Sequence, residues 1–297
     1  IFCYNDVSVL NIPKIYRGER GIGMTSFIDL MREQVLVVDG AMGTVLQNRG
    51  LSPGACPEAL NLTNPQLIVQ IHKEYLQAGA DIATANTFGA TPLKLKEYGL
   101  GKDAKEINFK AIEIAKASFC GKNKFVAGSI GPLGKLIKPL GDISFDIAYE
   151  EFSIQASFFQ KAGADLIIIE TMGDLGELRA AILAAKENFK GPILATMTFE
   201  ANGRTFTGTD PITAAVVAES LGIAAFGANC SVGSRELLPI AKKLVEATNL
   251  PILISPNAGM PEIQNGRTVF KETPAEMASM AKEFLEVGVS LIGSCCG

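Results

Sequence analysis

The sequence predicts an α/β protein, a (β/α)8 barrel of the TIM type, on three observations. Short Val/Ile/Ala-rich runs alternate with longer amphipathic stretches from one end of the chain to the other, the pattern of repeated βα units around a parallel sheet. The runs number eight, which suits a closed barrel better than an open doubly wound sheet. Capping residues punctuate the stretches between them.

Taken in order, the chain opens with a segment in which Arg17-Gly18-Glu19-Arg20-Gly21 is encodable by purine-rich codons, as a translated ribosome-binding site would be. Met24 is then the expected start and residues 1–23 a non-native leader, with a flexible extension as the other reading. Residues 27–34 are expected as a short helix closing the bottom of the barrel, or else as an exposed start. The strand runs follow at 35–38, 81–85, 125–129, 166–169, 193–198, 224–228, 252–255 and 289–292, each short and apolar enough for a strand buried on both faces. Asn64-Pro65, Asp210-Pro211 and Thr273-Pro274 each place a capping side chain before proline at a first helical position, and Thr273 with Glu276 has the spacing of a capping box. Gly79, Gly163, Gly222 and Gly288 stand just before strands, where a left-handed helix end turns the chain inward. The sequence stops at Gly297, directly after the eighth run, so residues 24–297 are expected to form one barrel lacking its final helix.

Composition removes several function classes. The 27 basic and 31 acidic residues are interspersed, with a net charge of −4, which gives no electrostatic footprint for nucleic acid. No apolar run approaches the roughly 18 residues of a membrane helix, and the opening lacks the basic start and apolar stretch of a secretory signal. The expectation is therefore a cytoplasmic protein with no membrane partner. Six cysteines are few for a secreted scaffold of this length, and in a reducing compartment they point to metal binding or catalysis before disulfides. A single histidine excludes a His-rich metal site.

In a barrel of this kind the active site lies at the C-terminal ends of the strands, so the residues after each run carry the functional information. Cys230 follows the sixth run and Cys295-Cys296 the eighth; runs of equal parity project into one layer of the mouth, where three thiolates would converge. Cys230 alone would read as a small buried residue, and Cys295-Cys296 as a vicinal disulfide or an inert pair. Together they read as a soft ligand set suited to zinc, with the fourth tetrahedral position left for water or substrate. Asp39 and Glu170, after the first and fourth runs, are either helix-capping or loop salt-bridge groups, or carboxylates that hold the ammonium of a zwitterion. Gly128-Ser129-Ile130-Gly131 runs into Pro132 and lacks both the Walker lysine and the dinucleotide fingerprint, so a tight turn allowing close substrate approach is expected. Cys3, Cys56 and Cys120 read as incidental, and His72 as a packed or surface residue of a helix.

The most specific stretches are Val38-Asp39-Gly40-Ala41-Met42-Gly43-Thr44, Asn86-Thr87-Phe88-Gly89-Ala90, Gly163-Ala164-Asp165 running to Glu170-Thr171, Thr207-Gly208-Thr209-Asp210-Pro211, Asn229-Cys230-Ser231 and Cys295-Cys296-Gly297. In this order, across residues 34–297, they resemble the homocysteine S-methyltransferase family, and within it the homocysteine-binding module of the cobalamin-dependent methionine synthases. The resemblance implies zinc on Cys230, Cys295 and Cys296. It implies a homocysteine site with Asp39 and Glu170 on the amino-acid end and Gly40, Ala41 and Thr171 beside it, and makes Asn257 an amide that approaches the metal when substrate is absent. The family normally continues past Cys-Cys-Gly into a last helix, and its methionine synthases add folate-, cobalamin- and activation modules that this sequence lacks.

The chemistry suits that implication, because homocysteine's thiol is largely protonated near neutral pH and only its thiolate is a good nucleophile. Zinc keeps a bound thiol ionised at pH 7, and three anionic sulfur ligands keep that sulfur electron-rich. The implied activity is methyl transfer to homocysteine, forming methionine. The stretch 128–145 looks more like the cobalamin-dependent branch, so methylcobalamin is the expected donor. With no Asp-x-His-x-x-Gly cobalamin motif in the sequence, the corrinoid would come on another module or protein, beside a methyltetrahydrofolate-binding one. S-methylmethionine and betaine are the alternative donors, and a non-catalytic zinc or thiol-redox barrel is the alternative from another class.

Overall fold

The computed structural model describes residues 26–264 and 267–297; the expected leader at 1–23, the expected start at Met24 and Cys3 lie outside them. Ser26 accepts a hydrogen bond from the Asp29 N–H and so caps α1 (Phe27–Glu33). The strands are β1 (Leu36–Val37), β2 (Ile82–Thr84), β3 (Phe125–Ile130), β4 (Leu166–Met172), β5 (Ile193–Met197), β6 (Ala225–Gly233), β7 (Ile252–Asn257), a hairpin of β8 (Glu262–Gln264) with β9 (Arg267–Val269), and β10 (Leu291–Ile292). Apart from the antiparallel hairpin, every pairing is parallel, in the order β1-β10-β7-β6-β5-β4-β3-β2. A parallel bridge between Val38 and Ile82 joins the two ends of that order, so the expected barrel is present with all eight runs as its staves.

Helices α2 (Gly43–Asn48), α3 (Leu60–Thr63) and α4 (Pro65–Gln77) follow β1; α5 (Pro92–Lys96) and α6 (Ala104–Ser118) follow β2. One helix follows each of the next five barrel strands: α7 (Phe145–Ala162), α8 (Leu175–Asn188), α9 (Pro211–Ser220), α10 (Ser234–Ala247) and α11 (Pro274–Glu286). Among the described residues no helix is long and apolar enough to cross a membrane.

Strand residues alternate between two cores, which is why the runs are apolar throughout. Leu166 and Ile168 point into the barrel with Leu36, Ile82, Leu194, Ala225, Leu253 and Leu291, and α1 lays Phe27, Leu30 and Met31 across the same cluster. Phe27 meets Phe125 edge-on, ring centroids 5.1 Å apart, so α1 closes the N-terminal end as expected. Ile167 and Ile169 face outward into the larger core against the helices, where Ala180, Ala181, Ala184 and Ala185 let α8 approach closely.

The local signals hold with two exceptions. Asp210 and Thr273 cap α9 and α11, the latter through a complete capping box, and the four glycines before strands are all left-handed. Asn64 makes no side-chain cap bond, because it also ends α3 and its φ/ψ of −146°/62° departs from the extended pair typical of a cap. Gly128 is not in a turn but inside β3, where a Cβ would meet the Phe159 ring of α7 at 2.4 Å, and Gly131 is pressed on Phe88, where a Cβ would sit 2.6 Å from the ring. Both glycines make room for protein aromatic rings, a packing demand rather than the close substrate approach that the sequence suggested.

Candidate active site

At the mouth, two strands leave regular geometry. The register of β4 on β5 shifts between Ile169 and Met172, and that of β6 on β7 between Asn229 and Gly233. Inside those shifts Thr171, Cys230 and Ser231 adopt φ of +64°, +62° and +61°, a region that costs non-glycine residues on the order of 1–3 kcal/mol each. The surroundings hold them there. Asn229, 2% exposed, accepts the Thr171 N–H at 2.9 Å and the Thr196 hydroxyl at 2.8 Å on Oδ1, while its Nδ2 donates to Thr171 Oγ1 at 2.8 Å and Cys295 Sγ at 3.7 Å.

The segment after β10 extends β7's pairing beyond the barrel proper. Cys295 N–H donates to the Pro256 carbonyl and Ala258 N–H to the Cys296 carbonyl, each at 2.8 Å, and the Asn257 Oδ1 accepts the Cys296 N–H at 2.9 Å. These bonds bring Cys230, Cys295 and Cys296 together, their three Sγ atoms all within 4.8 Å of one another and the last two 4.0 Å apart. Thiolates around a tetrahedral ion with metal–sulfur bonds of about 2.3 Å stand about 3.8 Å apart, so the cluster fits a zinc-sized ion with small adjustments. Without one, hydrogen bonds from the Cys295 and Cys296 thiols draw Cys230 down to about 3. Those two keep their protons: the bond to Cys230 and burial push Cys296 up to about 12 and Cys295 upward as well.

The sulfurs face a cavity of ≈ 250 Å3 whose walls include Asp39, Gly40, Ala41, Glu170 and Thr171 as well as the three cysteines. Among the described residues three carboxylates line it, Asp39, Glu58 and Glu170, and no Lys, Arg or His does. Burial pushes Asp39 up to about 8, against the opposing effect of bonds from the Thr84 hydroxyl (2.6 Å) and N–H (2.8 Å), with a smaller upward push from Glu170. Burial likewise pushes Glu170 up to about 7, opposed by a 2.5 Å bond from the Ser129 hydroxyl and reinforced by the charge on Cys230. Asn257 is buried behind the cysteines and braces Cys296 rather than lining the cavity.

Three residues at this site carry more than the sequence revealed. Asn229 and Ser129 lie inside stretches singled out above, next to the residues chosen, but their partners come from other strands. Glu58 had no signal: it sits in a single 3-10 turn, Pro57–Ala59, and its carboxylate accepts the Gly89 N–H at 2.6 Å and the Cys56 thiol at 3.3 Å. Cys56 is buried and Cys120 exposed, both apart from the sulfur cluster. His72 is a core residue, fully buried with neither ring nitrogen hydrogen-bonded; burial pulls it down to about 4, so it is packed neutral.

A family model described as homocysteine S-methyltransferase matches residues 36–297. Methionine synthase of Mycobacterium tuberculosis is 32% identical over 292 residues, an alignment covering 92% of this chain and 24% of that protein. That of Mycobacterium leprae is 30% identical over the same length and shares. The chain thus spans about a quarter of the length of these relatives. Among solved structures, the homocysteine methyltransferase MmuM of Escherichia coli in its metallated form superposes with a TM-score of 0.77 at 24% identity, covering 90% of this chain and 93% of that one. Its oxidised form gives 0.71 at 25% identity with the same coverage.

Proposed function

The chain belongs to the homocysteine S-methyltransferase family, and from that premise we propose that it methylates the sulfur of homocysteine to give methionine, with zinc held by Cys230, Cys295 and Cys296. The observation that carries this reading is the convergence of three sulfurs on a cavity lined by carboxylates and, among the described residues, by no cationic side chain. Such a cavity favours cations, and the reaction brings two, a metal ion and an ammonium group. Bound zinc would keep the substrate thiol ionised at neutral pH, where free thiols of pKa about 8.5 are mostly protonated.

The chain's own groups do the rest. Asp39 and Glu170 receive the ammonium, whose charge favours their ionised forms against the burial that raises them. Among the described residues the substrate carboxylate has no cationic side chain to meet, so it falls to N–H and O–H donors. Gly40 and Ala41 line the cavity, and their N–H groups make no hydrogen bond among the described residues. Thr171 Oγ1 accepts from Asn229 and keeps its own hydrogen to donate. Asn257 holds the Cys296 backbone, and from there its amide is near enough to the metal position to approach it in the absence of substrate. The barrel is the homocysteine-binding module, and the methyl donor is methylcobalamin brought by a separate module or protein, with methyltetrahydrofolate bound on another. The relatives named methionine synthase, of which this chain spans a quarter, support methionine as the product.

The test uses zinc-loaded protein with homocysteine and each of methylcobalamin, S-methylmethionine, betaine and methyltetrahydrofolate, scoring methionine formed. Methylcobalamin should be the fastest donor and methyltetrahydrofolate alone inactive; a faster rate with S-methylmethionine would move the protein to the corrinoid-independent branch. Zinc binding without homocysteine binding, and no methionine from any donor, would leave the non-catalytic thiol barrel.

A further inference from the structure

We infer that Asn229 is a positioning residue that sets two of the three proposed metal ligands at once, one through its backbone and one through its carboxamide; the inference rests on the reading of Cys230, Cys295 and Cys296 as ligands. Cys230 is its chain neighbour, held at φ +62°. Cys295 comes from the end of another strand and receives the Nδ2–H at 3.7 Å, an ordinary distance for a sulfur acceptor. The Cys296 N–H is held by the Asn257 side chain on β7, whose carboxamide also bonds the Cys230 sulfur.

The orientation of the Asn229 amide follows from its partners. Its oxygen takes the Thr171 N–H at 2.9 Å, and a backbone N–H can only donate. Flipping the amide would set two donors face to face at a site 2% exposed, leaving buried groups unpaired at a cost of about 1–3 kcal/mol each. With the oxygen fixed on Thr171 and Thr196, the nitrogen is directed at Thr171 Oγ1 and Cys295 Sγ. An N–H aimed at a thiolate takes up part of its charge and reduces what the sulfur donates to a bound ion, and such supporting bonds fix the ligand's direction. The same amide holds Thr171 in its left-handed backbone on the cavity wall. Ligand geometry and the Thr171 part of the cavity wall thus hang on one side chain, which itself reaches the cavity lining.

The experiment compares wild type, Asn229→Ala, Asn229→Asp and Thr196→Val as full chains. Thr196→Val removes a bond to the amide oxygen and leaves the N–H toward sulfur, whereas both Asn229 variants remove that N–H, and the Asp variant keeps its shape should the Ala variant fold poorly. Titrated with cobalt(II), the Asn229 variants should still saturate at one ion per chain, with affinity lowered about 10- to 100-fold and the sulfur-to-cobalt charge-transfer band moved to lower energy. Thr196→Val should keep the wild-type band. An unmoved band in a folded, cobalt-loaded Asn229 variant, or an equal shift in Thr196→Val, overturns the inference. A second readout needs no metal: iodoacetamide labelling mapped to each cysteine should raise the ratio of Cys295 to Cys230 alkylation several-fold in Asn229→Ala. An unchanged ratio also overturns it. A wild type that takes up no cobalt would instead overturn the ligand assignment, while the labelling ratio still decides whether Asn229 positions Cys295.

Discussion

At the N-terminal end of the barrel, β4 and β6 run in regular parallel register with their neighbours, and α1 seals them with Phe27, Leu30 and Met31. At the mouth the same two strands slip register and hold Thr171, Cys230 and Ser231 in left-handed backbone. The floor is apolar and stabilises by burial; the mouth concentrates buried carboxylates, clustered thiols and dihedral strain, each of which costs stability. The difference teaches that one strand can serve both ends only because its inner half is packed well enough to offset its outer half.

Substitutions can separate the two ends. The largest effect belongs to the mouth: Cys230→Ser should lose most of the bound zinc, read by metal analysis after dialysis, while the metal-free variant melts close to metal-free wild type. Cys120→Ser, at an exposed thiol, should keep its zinc. At the floor, Leu30→Ala should cost about 2–5 kcal/mol in denaturant unfolding and still bind one zinc per chain. Loss of zinc there as large as in Cys230→Ser would show that the two ends are not separable.

The pH dependence sharpens the contrast. Glu170 and Asp39 are raised in the fold to about 7 and about 8, above their values in an unfolded chain. Their stabilising contribution is therefore fully present below the unfolded values near 4 and is lost as pH rises through 7 to 8. Metal-free Glu170→Gln should gain stability over wild type at pH 8.5 and gain none at pH 4, measured by melting temperature. Its zinc content should stay at one per chain, and its homocysteine affinity should fall. A variant that loses zinc as a cysteine mutant does would place Glu170 among the metal's supports instead of the substrate's. The smallest expected effect is from Ser231→Gly, which relieves one left-handed residue and should raise the stability of metal-free protein by up to about 1 kcal/mol while lowering the methylation rate. An unchanged rate would mean that the dihedral is incidental to the site.

Much of the floor was legible in the sequence and less of the mouth. Strands, caps and left-handed glycines are written locally: a run such as 166–169 is apolar whichever core each residue faces, and Thr273 and Glu276 meet within one helical turn. The cysteine set was legible because three thiols at strand ends have few other uses. The reversal at Thr171 was not, since nothing in a Glu-Thr-Met sequence announces φ of +64°; it is imposed by Asn229 from β6. Asn64 and Gly128 misled for the same reason, their surroundings being set by α3 and by Phe159 of α7.

The seal made by α1 has a further consequence for traffic. A well with a closed floor has one door, so on the proposed activity homocysteine, lying against the sulfurs, would enter before the methyl donor arrives above it. Methionine can leave only after the spent donor has withdrawn. On the proposed activity this makes addition ordered with homocysteine first, and makes methionine compete with homocysteine rather than with the donor.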